Sequence, residues 1–205
     1  MKVAVVILAG GEGSRMGGDK PLRKLGARRL IDRAVDYARG ISDCPAVAVR
    51  DARQVAGVHL PIVHDDPSIE GPLAGLVAAL CFARDSGARA VMSIPVDMPF
   101  LPADLATRLD KSRGQYRAAI ASSGGHLHPV CGLWATNALD VLTDYLSSGK
   151  RSLIGLAEAA GYVAEDWPIE SIDPFFNINS EEDLVMAESL LALQRSRPRE
   201  TGADE

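Results

Sequence analysis

Between residues 8 and 22 the chain reads LAGGEGSRMGGDKPL, with five glycines and the cations Arg15 and Lys20 directly after the apolar run KVAVVIL. So few side chains leave backbone N–H groups open to a ligand, and two fixed cations beside them suit a phosphate-bearing anion. A tight turn alone needs fewer glycines and no cations. The familiar phosphate loops do not fit. In a Walker A loop the lysine follows glycine and precedes Ser or Thr, whereas Lys20 stands between Asp19 and Pro21. The dinucleotide pattern G-x-G-x-x-G fails because Met16 occupies its last position.

Asp97 is the second residue with chemistry to offer. It ends the apolar run ARAVMSIPVD at the break MPFLP, where a carboxylate needs a partner unless it only caps the corner. Further along are His64-Asp65-Asp66, the HPVCGLW stretch, and Asn177 and Asn179, which would share one face if they lay on a strand. His126 and His128 could pair on a metal, but no third ligand accompanies them at a recognisable spacing.

The elements that would carry these residues alternate. KVAVVIL (2–8) and PAVAVR (45–50) read as strands buried on both faces, HLPIVHD (59–65) is a third strand candidate, and ARAVMSIPVD (88–97) reads as a strand that runs into Asp97. Helical spacing marks 28–40, 71–87, ADLATRLDKS, 136–149 and the short 152–160. Strands are expected at 116–122, 128–134, GYVAEDW and FFNI (175–178), and Ser180 with Asp183 forms a capping box that starts a last helix over 181–194. Strands and helices in this order predict a mostly parallel, doubly wound sheet that collects its ligands at the carboxyl ends of the strands. Residues 1–194 are expected to be one domain, and the polar RSRPRETGADE (195–205) a disordered tail.

The 205 residues carry a formal net charge of -5, which argues against a general nucleic-acid surface. Cys44, Cys81 and Cys131 suggest neither a disulfide framework nor a metal knuckle and read as buried free thiols of a reducing compartment. No signal peptide and no bilayer-spanning run is recognised, so a soluble, cytoplasmic protein away from membranes is expected.

Six stretches taken together resemble one family: LAGGEGSRMGGDKPL, DKPLRKLGARRLIDR, EGPLAGL, PVDMPFLP, HPVCGLW and FFNINSEEDL. They are similar, in the same order, to the nucleotidyltransferases of glycosyltransferase-A-like fold, and among these to the molybdenum cofactor guanylyltransferases, the MobA family. The resemblance implies a Rossmann-like, three-layer α/β fold. It implies transfer of GMP from GTP to molybdopterin, with Mg²⁺ as the cofactor. Proteins that deliver molybdopterin or receive the finished cofactor would then be partners.

By resemblance, Leu8, Ala9, Gly10, Gly11, Ser14, Arg15 and Lys20 wrap the nucleotide, and Asp97 holds the Mg²⁺ that bridges its phosphates. Arg15, Lys20 and Asp97 are the catalytic residues so implied. An aspartate ahead of GPLAG contacts the nucleotide, either Asp65 or Asp66, with Asp66 preferred. Arg50 or Asp51 stands near the base or ribose. His128, Pro129, Gly132, Trp134, Asn177 and Asn179 match the acceptor-side motifs. The compact SRMGGDK spacing argues against a phosphorylated sugar as acceptor. CTP in place of GTP on molybdopterin, an NTP on another phosphorylated acceptor, and a non-catalytic nucleotide sensor or scaffold remain the competing readings.

Overall fold

The computed structural model describes residues 3–10 and 20–196. Arg15, Ser14 and Gly11, and the tail from 197, lie outside them. The first strand, β1 (Val3–Leu8), sends Val5 and Ile7 into one core and Ala4 and Val6 into the other, the period-2 alternation of a strand covered on both faces. Behind it come β2 (Lys24–Leu25), β3 (Arg28–Arg29), α1 (Leu30–Ile41), β4 (Ala46–Val49), β5 (Ile62–His64), α2 (Pro72–Asp85) and β6 (Ala90–Pro95). The second half adds α3 (Leu105–Arg113), β7 (Ala118–Ser123), β8 (His126–Ala135), α4 (Leu142–Ser147), α5 (Leu153–Ala160), β9 (Tyr162–Trp167) and α6 (Glu181–Ser196).

Seven strands form one sheet in the order β5-β4-β1-β6-β8-β7-β9, with β8 antiparallel to both its neighbours and the other pairs parallel. Residues of α1, α3 and α6 pack on one face and those of α2, α4 and α5 on the other, giving three layers. From β1 the chain winds outward to β4 and β5, then crosses back to β6 on the other side of β1. The order therefore reverses at the β1/β6 crevice, where doubly wound sheets bind ligands.

Most strand and helix ends fall within a few residues of the sequence expectation, and the instructive differences are these. The helix expected from 28 begins at Leu30, because Arg28–Arg29 pairs with Lys24–Leu25 across a turn at Gly26, whose φ is 62°. The helix expected over 136–149 splits into a 3-10 turn (Thr136–Val141) and α4. The strand expected at FFNI is absent: residues 173–179 run as irregular chain in which Phe175 and Ile178 plug the core. The last helix runs two residues beyond 194, to Ser196. The expected capping box at its start is formed, Ser180 Oγ accepting from the Asp183 N–H and Asp183 Oδ2 from the Ser180 N–H. The thiols are free, but Cys44 sits exposed on the turn before β4, and among the three only Cys131 is fully buried.

Candidate active site

Because β5, β4, β1 and β6 are mutually parallel, their carboxyl ends share one edge of the sheet, and the residues just past them meet there. These are Asp65 after β5, Arg50 after β4, Ala9 and Gly10 after β1, and Val96 and Asp97 after β6. Backbone bonds prolong the ladder up to this edge: the N–H of Asp65 donates to Val49 (2.9 Å), that of Ala9 to Ala48 (2.9 Å) and that of Val96 to Leu8 (3.2 Å). All six residues line a cleft of about 710 Å³, the size of a small-molecule site.

At one end of the cleft Lys20 Nζ lies 2.5 Å from Asp97 Oδ2 and donates to Asn179 Oδ1 at 2.9 Å. Both charged side chains are largely buried, at 13% and 17% exposure, so the pair forms within the cleft wall. The lysine comes from a short 3-10 turn (Lys20–Leu22) that follows the glycine loop, and Arg23, one residue on, pairs with Glu181 at the start of α6. Asp97 is held by its own backbone: its carbonyl accepts from the Ile178 N–H at 2.9 Å.

At the other end lies Asp65. It is half-buried and its Oδ1 is enclosed without a hydrogen-bond partner. Burial pushes its carboxyl above the usual carboxylate range, and Arg50 and His64 pull it part of the way back. Two glycines make room for it. A Cβ on Gly10 would stand 2.1 Å from Asp65 Oδ2, and one on Gly75, in the first turns of α2, 3.4 Å from Oδ1. The α2 N-terminus opens into the same space, with Gly71 as N-cap at φ 70° and Pro72 directly inside, so its free N–H groups and dipole favour an anion.

Asp66, the preferred candidate of the sequence reading, turns away. Its Oδ1 accepts from the N–H and the hydroxyl of Ser68, at 2.8 and 2.6 Å, in an exposed turn. Asp51 likewise caps its own 3-10 turn (Ala52–Val55), and its bonds to Arg53 lower its carboxyl to about 2. Of the two adjacent pairs, Asp65 and Arg50 reach the cleft.

On the acceptor side the expected residues separate. Asn177 lines the cleft with a buried, unpartnered Oδ1, and Asn179 touches Lys20. They do this on irregular chain, not on the strand expected of them. Trp134 lies fully buried in the core on the α2 face, and Gly132 beside it is needed for packing, since a Cβ there would meet Trp134 Nε1 at 2.7 Å. Pro129 sits in a bulge: β8 spends residues 129–131 where β7 steps from Ile120 to Ala121, and this turns Val130 into the cleft. His128 packs against Phe175, ring centroids 4.7 Å apart, with Nε2 at 2.8 Å from Ser123 Oγ. Glu70, Gly71, Gly75 and Val130 line the cleft without having been singled out. The glycines stood in EGPLAGL, but only the approach of Asp65 reveals why Gly75 is needed.

With this geometry in view, likeness to known proteins is informative. Residues 5–161 match the model of the family described as "MobA-like NTP transferase domain". The chain belongs to this family. It is 39% identical over 193 residues to a molybdenum cofactor guanylyltransferase of Cereibacter sphaeroides, covering 93% of this chain and 98% of that protein. A guanylyltransferase of the same name from Rhodopseudomonas palustris is 38% identical over 202 residues, covering 94% and 95%. Among solved structures, molybdopterin-guanine dinucleotide biosynthesis protein A from Archaeoglobus fulgidus superposes with a TM-score of 0.75 at 24% identity, over 93% of this chain and 99% of the other. A 4-diphosphocytidyl-2C-methyl-D-erythritol synthase from Anaerococcus prevotii gives 0.72 at 14%, over 93% and 96%. At these identities the structural likeness establishes the MobA-like fold. Among the described residues no helix is long and apolar enough to cross a membrane.

Proposed function

We propose that the chain is a molybdenum cofactor guanylyltransferase. A terminal phosphate oxygen of molybdopterin attacks the α-phosphorus of GTP; the new P–O bond forms as the bond to the β-phosphate oxygen breaks, and pyrophosphate leaves. The single observation that carries this reading is the Lys20–Asp97 pair at the switch-point crevice, in a chain 39% identical to a named guanylyltransferase over most of its length.

Transfer of this kind asks little covalent chemistry of the protein, because the acceptor phosphate is already anionic near neutral pH. Alignment and charge neutralisation supply the rate. Lys20 meets the phosphates and balances the charge that builds up on the leaving pyrophosphate, a task shared with Arg15. Asp65 holds the nucleoside end, its carboxylate accepting from a ligand N–H or O–H, and the opening of α2 meets phosphate charge. Asn177 lines the cleft wall, its Oδ1 enclosed and unpartnered behind it.

The residues present also fit a divalent cation. The carboxylate of Asp97 already holds a positive charge, that of Lys20, and Asp65 opens into the same cleft. Among the described residues no three His, Cys, Asp or Glu side chains converge, so a closed protein cage is not on offer there. Mg²⁺ is commonly held by one or two carboxylates with the remaining positions left to substrate and water, and Asp97 serves as that ligand. When bound, Mg²⁺ supplies Lewis-acid stabilisation of phosphate charge.

The direct test incubates the purified chain with GTP, Mg²⁺ and molybdopterin and follows pyrophosphate. Release that depends on added molybdopterin supports the reading; GTP binding with no release rejects it.

A further inference from the structure

Ser123 closes β7 at 1% exposure, and its hydroxyl is shared by two neighbours that the phosphate chemistry does not use. Ser123 Oγ donates to Asp173 Oδ1 at 2.8 Å and lies 2.8 Å from His128 Nε2. A hydroxyl has one proton, so with that proton on Asp173 the imidazole must be the donor: His128 Nε2–H donates to Ser123 Oγ. Asp173 Oδ1 also accepts from the Phe175 N–H at 2.9 Å, and the Phe175 ring stacks on His128 (4.7 Å, 19° between planes) and meets Trp167 edge-on at 5.4 Å. The far side of Trp167 is tied in turn, its Nε1–H donating to Asp104 at 2.9 Å.

The chain held this way belongs to no ladder and to no helix. Asp173 and Phe175 anchor it at one end. Within the next four residues it supplies Asn177 to the cleft wall, the Ile178 N–H to the Asp97 carbonyl, and Asn179 to Lys20. Irregular backbone keeps such an arrangement only where side chains pin it at both ends.

From these contacts we infer that Ser123, His128 and Asp173 form a latch that positions Asn177 and Asn179 for the acceptor phosphate, making them positioning residues and giving His128 a supporting role in place of ligand contact. The inference rests on the function proposed above. Breaking the latch lets the 173–179 strap drift, which loosens acceptor alignment, while the nucleoside end, built on β1, β5 and α2, stays in place and Lys20 and Asp97 remain held to each other by their ion pair.

The test uses Ser123→Ala and Asp173→Ala as breaking variants and Asp173→Asn as the conservative one, since an amide oxygen can accept both bonds. With GTP and molybdopterin varied separately, both alanine variants are expected to raise the KM for molybdopterin by about tenfold or more, with GTP affinity in the absence of acceptor within about twofold and Asp173→Asn near wild type. Equal shifts for both substrates, no shift, or failure of Asp173→Asn to restore the KM would overturn the latch. Amide hydrogen exchange keeps the test separate from the identity of the reaction: the Ile178 N–H should exchange about tenfold faster or more in the alanine variants and at the wild-type rate in Asp173→Asn. Unchanged protection there refutes the latch whatever the substrates are. If the wild-type chain transfers no GMP while the exchange pattern holds, the latch stands and the proposed function fails.

Discussion

Lys20 Nζ and Asp97 Oδ2 lie 2.5 Å apart although 77 residues separate them in the chain. The lysine follows the glycine loop and the aspartate lies just past the end of β6, the strand beside β1, so one ion pair joins the two halves of the crevice. This carboxylate is also the proposed cation ligand, and the ammonium stands where a cation's charge would act.

Replacing Lys20 therefore has two opposite effects. Lys20→Met is expected to lower kcat by about 100-fold or more, through lost stabilisation of phosphate charge. In the nucleotide-free protein the same change frees Asp97 and should tighten Mn²⁺ binding, read by titration. Near-normal turnover together with unaltered Mn²⁺ affinity would contradict the assignment.

Asp65 carries a pH signature. Burial raises its folded pKa above the unfolded value, so folding favours the neutral form. Native Asp65 then holds its proton where the unfolded chain has released it, and its contribution to stability falls as pH rises from the ordinary aspartate value through the raised one. Asp65→Asn removes this loss. The Tm of the nucleotide-free variant relative to wild type should climb across that window, while GTP affinity drops. A Tm difference independent of pH would count against a strained, buried carboxylate.

Gly10→Ala probes the same carboxylate from the opposite side. The new Cβ would meet Asp65 Oδ2 at 2.1 Å, the tip of a side chain that can swing away, and the backbone of Arg50 at 3.3 Å. Stability should change little and the KM for GTP should rise about tenfold or more, the loss of one hydrogen bond to a charged group. A large fall in Tm with an unchanged KM would show that Gly10 is needed for packing alone.

For Trp134 the reverse outcome is expected. The ring is fully buried among residues of the α2 face, with no exposure to the cleft. Trp134→Ala should cost about 3–5 kcal/mol in denaturant unfolding. Trp134→Phe, which keeps most of the ring volume, should leave the KM for molybdopterin unaltered. A specific rise in that KM would return Trp134 to the acceptor site.

In the parallel half of the fold, β1, β4 and β6 are legible because they are continuous apolar runs, those of β1 and β6 closed by Gly10 and Asp97, and both cues are local; β5, an exposed edge strand of three residues, shows only as part of HLPIVHD. Lys20 and Asp97 could be named for the same reason: each sits at a punctuation mark of the pattern. What sequence could not separate were neighbours of one type. Asp65 and Asp66 differ by one position, and only the Ser68 turn, which ties up Asp66, decides which carboxylate faces inward. Asn177 and Asn179 showed strand-like spacing, but the apolar residues between and before them, Phe175 and Ile178, are core plugs on irregular chain. The Ser123–Asp173 contact spans 50 residues and carries no motif, so no reading of spacing would find it. Trp134 lies in the core, not on the cleft, and a tryptophan in a motif reads alike in either place.

If this cleft joins GMP to molybdopterin, the product itself must carry guanine and depend on Asp97. The most direct measurement offers the purified chain molybdopterin, Mg²⁺ and equal GTP and CTP, and identifies the product by mass spectrometry, with Asp97→Ala as control. The expected outcome is molybdopterin guanine dinucleotide and one pyrophosphate per turnover, with no product from the Asp97 variant. A cytosine dinucleotide, or a guanine product that forms as fast without Asp97, would contradict it.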